Sequence, residues 1–211
     1  MDVSTGFYNY YKYLQYYSLC VADEREEFTM KKRWLLAIDL DGTLWDCKDI
    51  SKLDPPFQKI NEYSFRDSKG RVVNVYKEIV ELIKWARDQG AVTVVLSWNN
   101  ESIAVDALRT VDLLKLLDYY VIEDHPRKDL MAQKLYNTLL RHGLEEALYC
   151  VIYIDDVEDF LHQVSRVFPN MCALKAWSDF TDAESLRKHV YECLAKCSTK
   201  WLANLEEGGC R

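Results

Sequence analysis

Short, continuously apolar segments alternate along this chain with longer segments whose apolar residues recur at helical spacing. The apolar segments are residues 34–40, 91–96, 119–122, 148–154 and 171–174. The segments with helical spacing are residues 76–90, 101–117, 128–142, 156–168 and a last one that opens at 181–184 with a capping box, T-D-A-E. An uninterrupted apolar strand is typical of a parallel sheet that helices cover on both faces. The alternation therefore predicts an α/β fold, a doubly wound, Rossmann-like parallel sheet with helices on both faces.

Length and composition indicate one such domain with short extensions. We predict a Tyr-rich helical extension and charged linker at 1–33, the α/β domain at 34–197 and a tail at 198–211. The net charge of −7 argues against a nucleic-acid partner. No apolar run is long enough to span a membrane, and the N-terminus lacks the basic start of a secretory signal. We therefore expect a cytoplasmic protein without a membrane partner, and leave its oligomeric state open.

The chain has seven cysteines, an odd number, and none of them forms a CxxC pair. Cys193 and Cys197 share a predicted helix face with Leu186 and Val190, which favours buried thiols in the core. Disulfides are the alternative, although they are uncommon inside cells. The sequence leaves this choice open.

Polar residues follow four of the predicted strands. They are Asp39 and Asp41 after the first, Ser97, Trp98 and Asn99 after the second, Lys128 after the third, and Asp155 and Asp156 after the fourth. Because ligands of doubly wound sheets bind at the carboxyl ends of the strands, we expect these residues to meet in one site.

This set of residues fits phosphoryl transfer. One carboxylate of the Asp39 and Asp41 pair can attack phosphorus while the other donates a proton to the leaving oxygen. Asp39 with Asp155 and Asp156 forms a cluster of hard oxygen ligands suited to Mg²⁺. Lys128 and the hydroxyl of Ser97 can hold the phosphoryl oxygens. A receiver domain has similar residues, but it carries the acidic pair before the phosphate-accepting strand, whereas here the pair comes last.

The motif D-L-D-G-T-L-W at 39–45 resembles the signature of the haloacid dehalogenase (HAD) superfamily of aspartate-nucleophile phosphatases. Ser97, Lys128 and the Asp155-Asp156 pair fall where its other three motifs belong. The segments L-D-P-P-F-Q-K at 53–59 and S-F-R-D-S-K-G-R-V-V-N-V-Y-K-E-I at 64–79 are similar to the magnesium-dependent phosphatase-1 family. This family has Ser/Thr-Arg-Thr in its second motif, where this chain has Ser97-Trp98-Asn99.

The resemblance implies Asp39 as the nucleophile and Asp41 as the general acid and base. It implies Mg²⁺ as the cofactor, held by Asp39, the main-chain carbonyl of Asp41, and Asp155 or Asp156. The implied phosphate-binding residues are Leu40, Asp41, Ser97, Trp98 and Lys128. Lys134 is a weaker rival to Lys128, and Asp159 is a candidate helper of the fourth motif.

We therefore expect a Mg²⁺-dependent phosphomonoesterase that acts on sugar phosphates, aryl phosphates or phosphotyrosine, in small molecules or in phosphoproteins. The alternatives are a HAD-type glyceryl- or acyl-phosphate transferase and an inactive phosphate-binding module. Residues 46–75 are fewer than the roughly 40 that an independent domain needs. They predict a minimal cap, made of a loop and a small hairpin. The site should then be open and bordered by Phe57, Tyr63, Phe65 and Trp98.

Overall fold

The structure is a computed structural model that describes the backbone of residues 34–207 and the side chains of residues 34–197. The predicted Tyr-rich extension at 1–33 and the last four residues lie outside the described residues. The division of the chain at residues 33 and 197 stays a prediction.

The described residues form eight strands and five α-helices. The strands are β1 (Trp34–Ile38), β2 (Gln58–Asn61), β3 (Ser64–Arg66), β4 (Val72–Asn74), β5 (Ala91–Trp98), β6 (Tyr119–Glu123), β7 (Val151–Asp155) and β8 (Cys172–Lys175). The helices are α1 (Lys77–Asp88), α2 (Glu101–Thr110), α3 (Lys128–Arg141), α4 (Glu158–Ser165) and α5 (Ala183–Glu207). Single 3₁₀ turns occur at Ile50–Lys52, Leu114–Leu116 and Glu145–Tyr149.

Five strands form a parallel sheet in the order β6-β5-β1-β7-β8. The first strand is central: Leu35 is in register with Val92 of β5 and with Val151 of β7. The chain runs outward from β1 through β5 to β6 and then returns to the other side of β1. The strand order therefore reverses at β1, and the crevice at its carboxyl end is where such sheets bind ligands.

Two apolar layers cover the sheet, one on each face. Leu36 and Ile38 point to the layer that contains the buried residues of α1, α2 and α5. Leu35 and Ala37 point the other way, to the buried residues of α3 and α4. Neighbouring residues of a strand face opposite sides, so a strand between two helical layers has to be apolar throughout. The predicted α/β class with helices on both faces is confirmed.

The segment between β1 and α1 forms a small antiparallel sheet in the order β2-β3-β4. Hydrogen bonds join the two ends of this segment. The Asp46 amide donates to the Asn74 carbonyl at 3.0 Å, and the Asn74 amide donates to the Asp46 carboxylate. Phe65 anchors this sheet in the main core, where its ring meets the edges of Trp45 and Phe57. The expected small insert is thus present, with three strands instead of two. Phe65 is fully buried, so its predicted place at the border of the site is wrong.

Two helix predictions need correction. The segment predicted as one helix at 101–117 ends as a helix at Thr110, because Asp112 takes a positive φ of 62° that an α-helix does not allow. The last helix is capped by Asp182 rather than Thr181. The Asp182 carboxylate accepts the Glu184 and Ser185 amides, and the Ser185 hydroxyl accepts the Asp182 amide in return.

Of the five cysteines whose side chains the structure describes, four form disulfides, which is the alternative that the sequence left open; the core thiols favoured for Cys193 and Cys197 are wrong. Cys150 is joined to Cys197, and Cys172 is joined to Cys193. Both cysteines of α5 lie on the predicted buried face, opposite one cysteine just before β7 and one in β8. Cys47 is a free thiol. The disulfides tie α5 to two neighbouring strands of the sheet.

Across residues 34–207, no helix is both long and apolar enough to cross a membrane.

Candidate active site

Lys128 is the first residue of α3, and its side chain runs inward to the carboxyl end of the sheet. Its Nζ donates to Asp39 Oδ1 at 2.6 Å, to the Leu96 carbonyl at 2.6 Å and to Asp155 Oδ2 at 3.2 Å. The Lys128 and Asp155 side chains are fully buried, and that of Asp39 is 8% exposed. The ends of β1 and β7 and the start of α3 therefore bring three predicted site residues into direct contact.

Burial and charge act against each other on this group. Burial raises the pKa of Asp39, the charge of Lys128 opposes the rise, and the pKa comes to about 7. Burial acts to lower the pKa of Lys128, but the charges of Asp39 and Asp155 outweigh it and the pKa is raised. Lys128 therefore stays protonated and provides a fixed positive charge at the bottom of the site.

Tyr153 is a member of this group that the sequence analysis missed. Its hydroxyl oxygen lies 3.1 Å from Lys128 Nζ, and the hydroxyl donates to Asp155 Oδ2. Burial and the charge of Asp155 raise the pKa of Tyr153 well above its ordinary value, so the hydroxyl keeps its proton. The available signal was its spacing: a residue two positions before Asp155 in a strand faces the same side of the sheet.

Asp156 completes a cluster of three carboxylates. One oxygen from each of Asp39, Asp155 and Asp156 lies within 4.8 Å of the others, which is close enough for all three to hold one metal ion. Burial and the charge of Asp155 raise the pKa of Asp156. The Asp156 amide donates to the Thr43 hydroxyl at 3.0 Å. A Cβ on Gly42 would lie 2.4 Å from the Asp156 carboxylate, so a larger residue there would have to displace that carboxylate.

The donor set fits Mg²⁺. Carboxylate oxygens are the ligands that this cation prefers in proteins. The three carboxyl groups lie beside a single lysine, and those of Asp39 and Asp155 are buried. A divalent cation would compensate the charge of the carboxylates that bind it, whereas uncompensated buried charges are costly.

The Asp41 side chain lies outside this cluster and is held by three N–H donors. Its Oδ1 accepts Trp45 Nε1 at 2.7 Å, its Oδ2 accepts Asn99 Nδ2 at 3.1 Å, and the Ile50 amide contacts both oxygens. Burial raises the pKa of Asp41 against these hydrogen bonds. Within the described residues, Asp41 does not join the carboxylate cluster through its side chain.

The remaining phosphate-binding candidates are divided between core and surface. Ser97 is buried at the end of β5, and its hydroxyl accepts Asn99 Nδ2 at 2.9 Å. The Leu40 side chain is in the apolar core, so only its main chain is available to a phosphate. Trp98 is 47% exposed and meets the ring of Phe160 edge to face. The same Phe160 ring lies 5.2 Å from the Lys128 Nζ.

The two weaker candidates lie elsewhere. Lys134 is on the surface of α3, where it forms an ion pair with Glu123 at 2.6 Å. Asp159 is exposed in the first turn of α4 and lies outside the carboxylate cluster. Of the two lysines, only Lys128 contacts Asp39.

The sequence of this chain is similar to those of known phosphatases. The family model described as Acid Phosphatase matches residues 33–138, which is half of the chain. Human magnesium-dependent phosphatase 1 is 32% identical over 87 residues, which cover 41% of this chain and 48% of that protein. The match thus spans about half the length of this relative.

Two solved structures are similar in fold. The N-terminal part of a Bacteroides fragilis protein, containing a phosphatase domain complexed with Mg, has 17% identity and a TM-score of 0.50, covering 79% of this chain and 41% of that one. A HAD-superfamily hydrolase from Ehrlichia chaffeensis has 12% identity and a TM-score of 0.53, covering 79% of this chain and 100% of that one. At these identities the likeness concerns the fold. The family match and the human relative confirm the resemblance to magnesium-dependent phosphatases expected from the motifs: the chain belongs to the acid phosphatase family.

Proposed function

We propose that this protein is a Mg²⁺-dependent phosphomonoesterase with Asp39 as its nucleophile. The observation that carries the proposal is the buried Lys128, which donates to both Asp39 and Asp155 beside the carboxylate of Asp156. The name of the human relative and the magnesium in the Bacteroides fragilis structure support the same activity.

In the first half of the reaction, an oxygen of Asp39 attacks the phosphorus of the substrate. The bond from phosphorus to the leaving oxygen breaks, and the leaving oxygen takes a proton from Asp41. The product on the protein is an aspartyl phosphate. Because burial raises the pKa of Asp41, its carboxyl holds this proton more readily than an exposed carboxyl does.

In the second half, water attacks the phosphorus of the aspartyl phosphate and gives its proton to Asp41. The bond between phosphorus and Asp39 breaks, which releases inorganic phosphate and restores both carboxyl groups. Lys128 and Ser97 bind the phosphoryl oxygens through both halves, with the main chain at Leu40 and Trp98. Proton donor and proton acceptor are thus one residue in two protonation states.

Asp39, Asp155 and Asp156 would hold Mg²⁺, together with the main-chain carbonyl of Asp41. The bound cation supplies positive charge that lets the phosphate dianion approach the carboxylates. Lys128 alone cannot offset three carboxylates and a dianion.

The short insert favours substrates of varied size. Residues 46–75 pack on the core through Phe65 and form no domain of their own, and Trp98 is left exposed. We propose sugar phosphates, aryl phosphates or phosphotyrosine as substrates, in small molecules or in phosphoproteins, with KM values toward the weak end of the ordinary range.

The test is the hydrolysis of p-nitrophenyl phosphate with Mg²⁺, with excess EDTA, and by the variant Asp39→Asn. The exposed Asp88→Asn at the end of α1 is the matched control. We expect activity that requires Mg²⁺, that falls at least about 10³-fold in Asp39→Asn and that is kept in Asp88→Asn. A wild-type protein without hydrolysis would contradict the proposal and favour the transferase or the inactive module.

A further inference from the structure

The Asn99 side chain is buried directly after β5 and makes three hydrogen bonds. Its Nδ2 donates to Asp41 Oδ2 at 3.1 Å and to Ser97 Oγ at 2.9 Å. Its Oδ1 accepts the hydroxyl of Ser51 at 2.9 Å. Only 2% of Asn99 is exposed, so these three partners replace water around its amide group.

Ser51 fixes which end of the amide faces Asp41. The Ser51 Oγ already accepts the Asn100 amide at 2.8 Å, so its own hydrogen is available to Asn99 Oδ1. A flipped amide would place its oxygen against the Asp41 carboxylate, so that two acceptors face each other and the hydrogen bond from Nδ2 to Asp41 is lost. The two Nδ2 hydrogens therefore point to Asp41 and Ser97.

This orientation determines the direction of the Ser97 hydroxyl. Ser97 Oγ accepts from Asn99, which leaves its hydrogen free to donate to another acceptor. Among the described side chains, Asn99 is the one hydrogen-bond partner of Ser97 Oγ. The free hydrogen suits a phosphoryl oxygen, which is an acceptor.

We propose that Asn99 is a positioning residue for the phosphoryl transfer described above. It holds the Asp41 carboxyl in place for proton transfer and directs the hydroxyl of Ser97 toward the phosphoryl group. Ser51 belongs to the insert, so the insert contributes to catalysis through Asn99. The proposal rests on the proposed function. A threonine, the residue of the similar family at this position, has one hydrogen to donate and cannot serve both partners.

The test compares Asn99→Leu, Asn99→Thr and Ser51→Ala, with the exposed Asn137→Leu of α3 as the control. For each variant, kcat and KM are measured for p-nitrophenyl phosphate and for β-glycerophosphate, together with inhibition by inorganic phosphate. The alkyl ester has the poorer leaving group and depends more on a well-placed proton donor. Thermal unfolding reports whether each variant is folded.

We expect Asn99→Leu to lower kcat for the alkyl ester about 10²-fold, to lower it less for the aryl ester and to weaken inhibition by phosphate. Asn99→Thr and Ser51→Ala should lower kcat for the alkyl ester and weaken phosphate inhibition to a smaller extent. Asn137→Leu should change neither kcat nor phosphate inhibition. If Asn99→Leu does not fold, the two milder variants decide the question.

The proposal would be overturned if the folded Asn99 and Ser51 variants kept the wild-type ratio of alkyl to aryl turnover and the wild-type inhibition by phosphate. In that case an inactive Asp39→Asn still supports the proposed function, so only the role of Asn99 fails. A wild-type protein that hydrolyses neither ester would overturn both proposals.

Discussion

The Nζ atom of Lys128 lies 2.6 Å from Oδ1 of Asp39, and the two side chains are almost completely buried. The residues are far apart in the sequence and come from the start of α3 and the end of β1. This ion pair joins α3 to the end of the central strand, at the point where the strand order reverses. Removing one partner leaves the other charge buried without compensation.

Replacing Lys128 with Met is expected to destabilise the protein by about 3 to 5 kcal/mol at neutral pH, because it leaves Asp39 and Asp155 buried without a cation. Lys134→Met, in the same helix, removes an exposed ion pair with Glu123 and should cost no more than about 1 kcal/mol. Urea unfolding in the absence of Mg²⁺ measures both. Equal losses would show that Lys128 does not compensate these carboxylates.

Gly42→Ala is expected to weaken Mg²⁺ binding, because the new Cβ would lie 2.4 Å from the Asp156 carboxylate and displace it. Gly70→Ala is the matched control. Gly70 also has a positive φ, of 82°, but no atom lies within 4 Å of a Cβ at that position. Backbone strain of about 1 kcal/mol or more is common to both variants.

The Mg²⁺ dependence of p-nitrophenyl phosphate hydrolysis separates displacement of the Asp156 carboxylate from backbone strain. We expect the half-saturating Mg²⁺ concentration to rise at least about tenfold in Gly42→Ala, since a metal ligand has moved. It should stay at the wild-type value in Gly70→Ala. An unchanged Mg²⁺ dependence in both variants would argue against Asp156 as a ligand.

Asp67, between β3 and β4 of the insert, is expected to make stability depend on pH. Burial acts to raise the pKa of Asp67, but hydrogen bonds from the Arg71 and Asp54 amides and from the Arg71 guanidinium outweigh it and lower the pKa to about 2. The ordinary value is 3.8. The stability that Asp67 contributes is therefore complete above about pH 4 and is lost as the pH falls toward 2.

Asp67→Asn should remove this part of the acid dependence, so the wild-type and variant free energies of unfolding should converge between pH 4 and pH 2. Arg71→Gln should reduce the dependence only in part, because the amide donors remain. Urea unfolding at a series of pH values measures how the free energy of unfolding of each variant depends on pH. A constant difference between wild type and Asp67→Asn over this range would be inconsistent with the lowered pKa.

The two disulfides are expected to stabilise the attachment of α5. They close segments of 47 and 21 residues. Restriction of the unfolded chain by loops of this size corresponds to about 4 and about 3 kcal/mol. Cys150→Ser and Cys172→Ser should lower the free energy of unfolding by amounts of this order, and Cys47→Ser should lower it far less. If a reducing agent leaves the urea midpoint of the wild-type protein unchanged, the disulfides do not contribute.

Much of the fold was predictable because the central strands are apolar without interruption. The uninterrupted apolar sequences of β1 and β5 predict buried strands. The end of α2 was not predictable in this way, because leucines continue at helical spacing after Thr110. The positive φ of Asp112 stops the helix there, and nothing in the apolar pattern indicates it. The pairing of the cysteines likewise depends on where α5 crosses the sheet.

The charged residues of the site were predictable because each follows a strand of one parallel sheet. Asp39, Lys128 and Asp155 meet for that reason alone. The partners that orient them were harder to find. Ser51 reaches Asn99 from the insert, whose path depends on its own turns, and Tyr153 is hidden within an apolar strand. Sequence position thus predicted the charged groups of the candidate site better than the hydrogen bonds that hold them.

The most direct test of the proposed mechanism is the chemical identification of the phosphorylated residue. The protein is acid-quenched during Mg²⁺-dependent turnover of p-nitrophenyl phosphate and treated with borohydride, which reduces an aspartyl phosphate to homoserine. Peptide mass spectrometry then locates the reduced residue. We predict homoserine at position 39, dependent on both substrate and Mg²⁺. Homoserine at another aspartate would contradict the central role of Asp39, as would rapid turnover by Asp39→Asn.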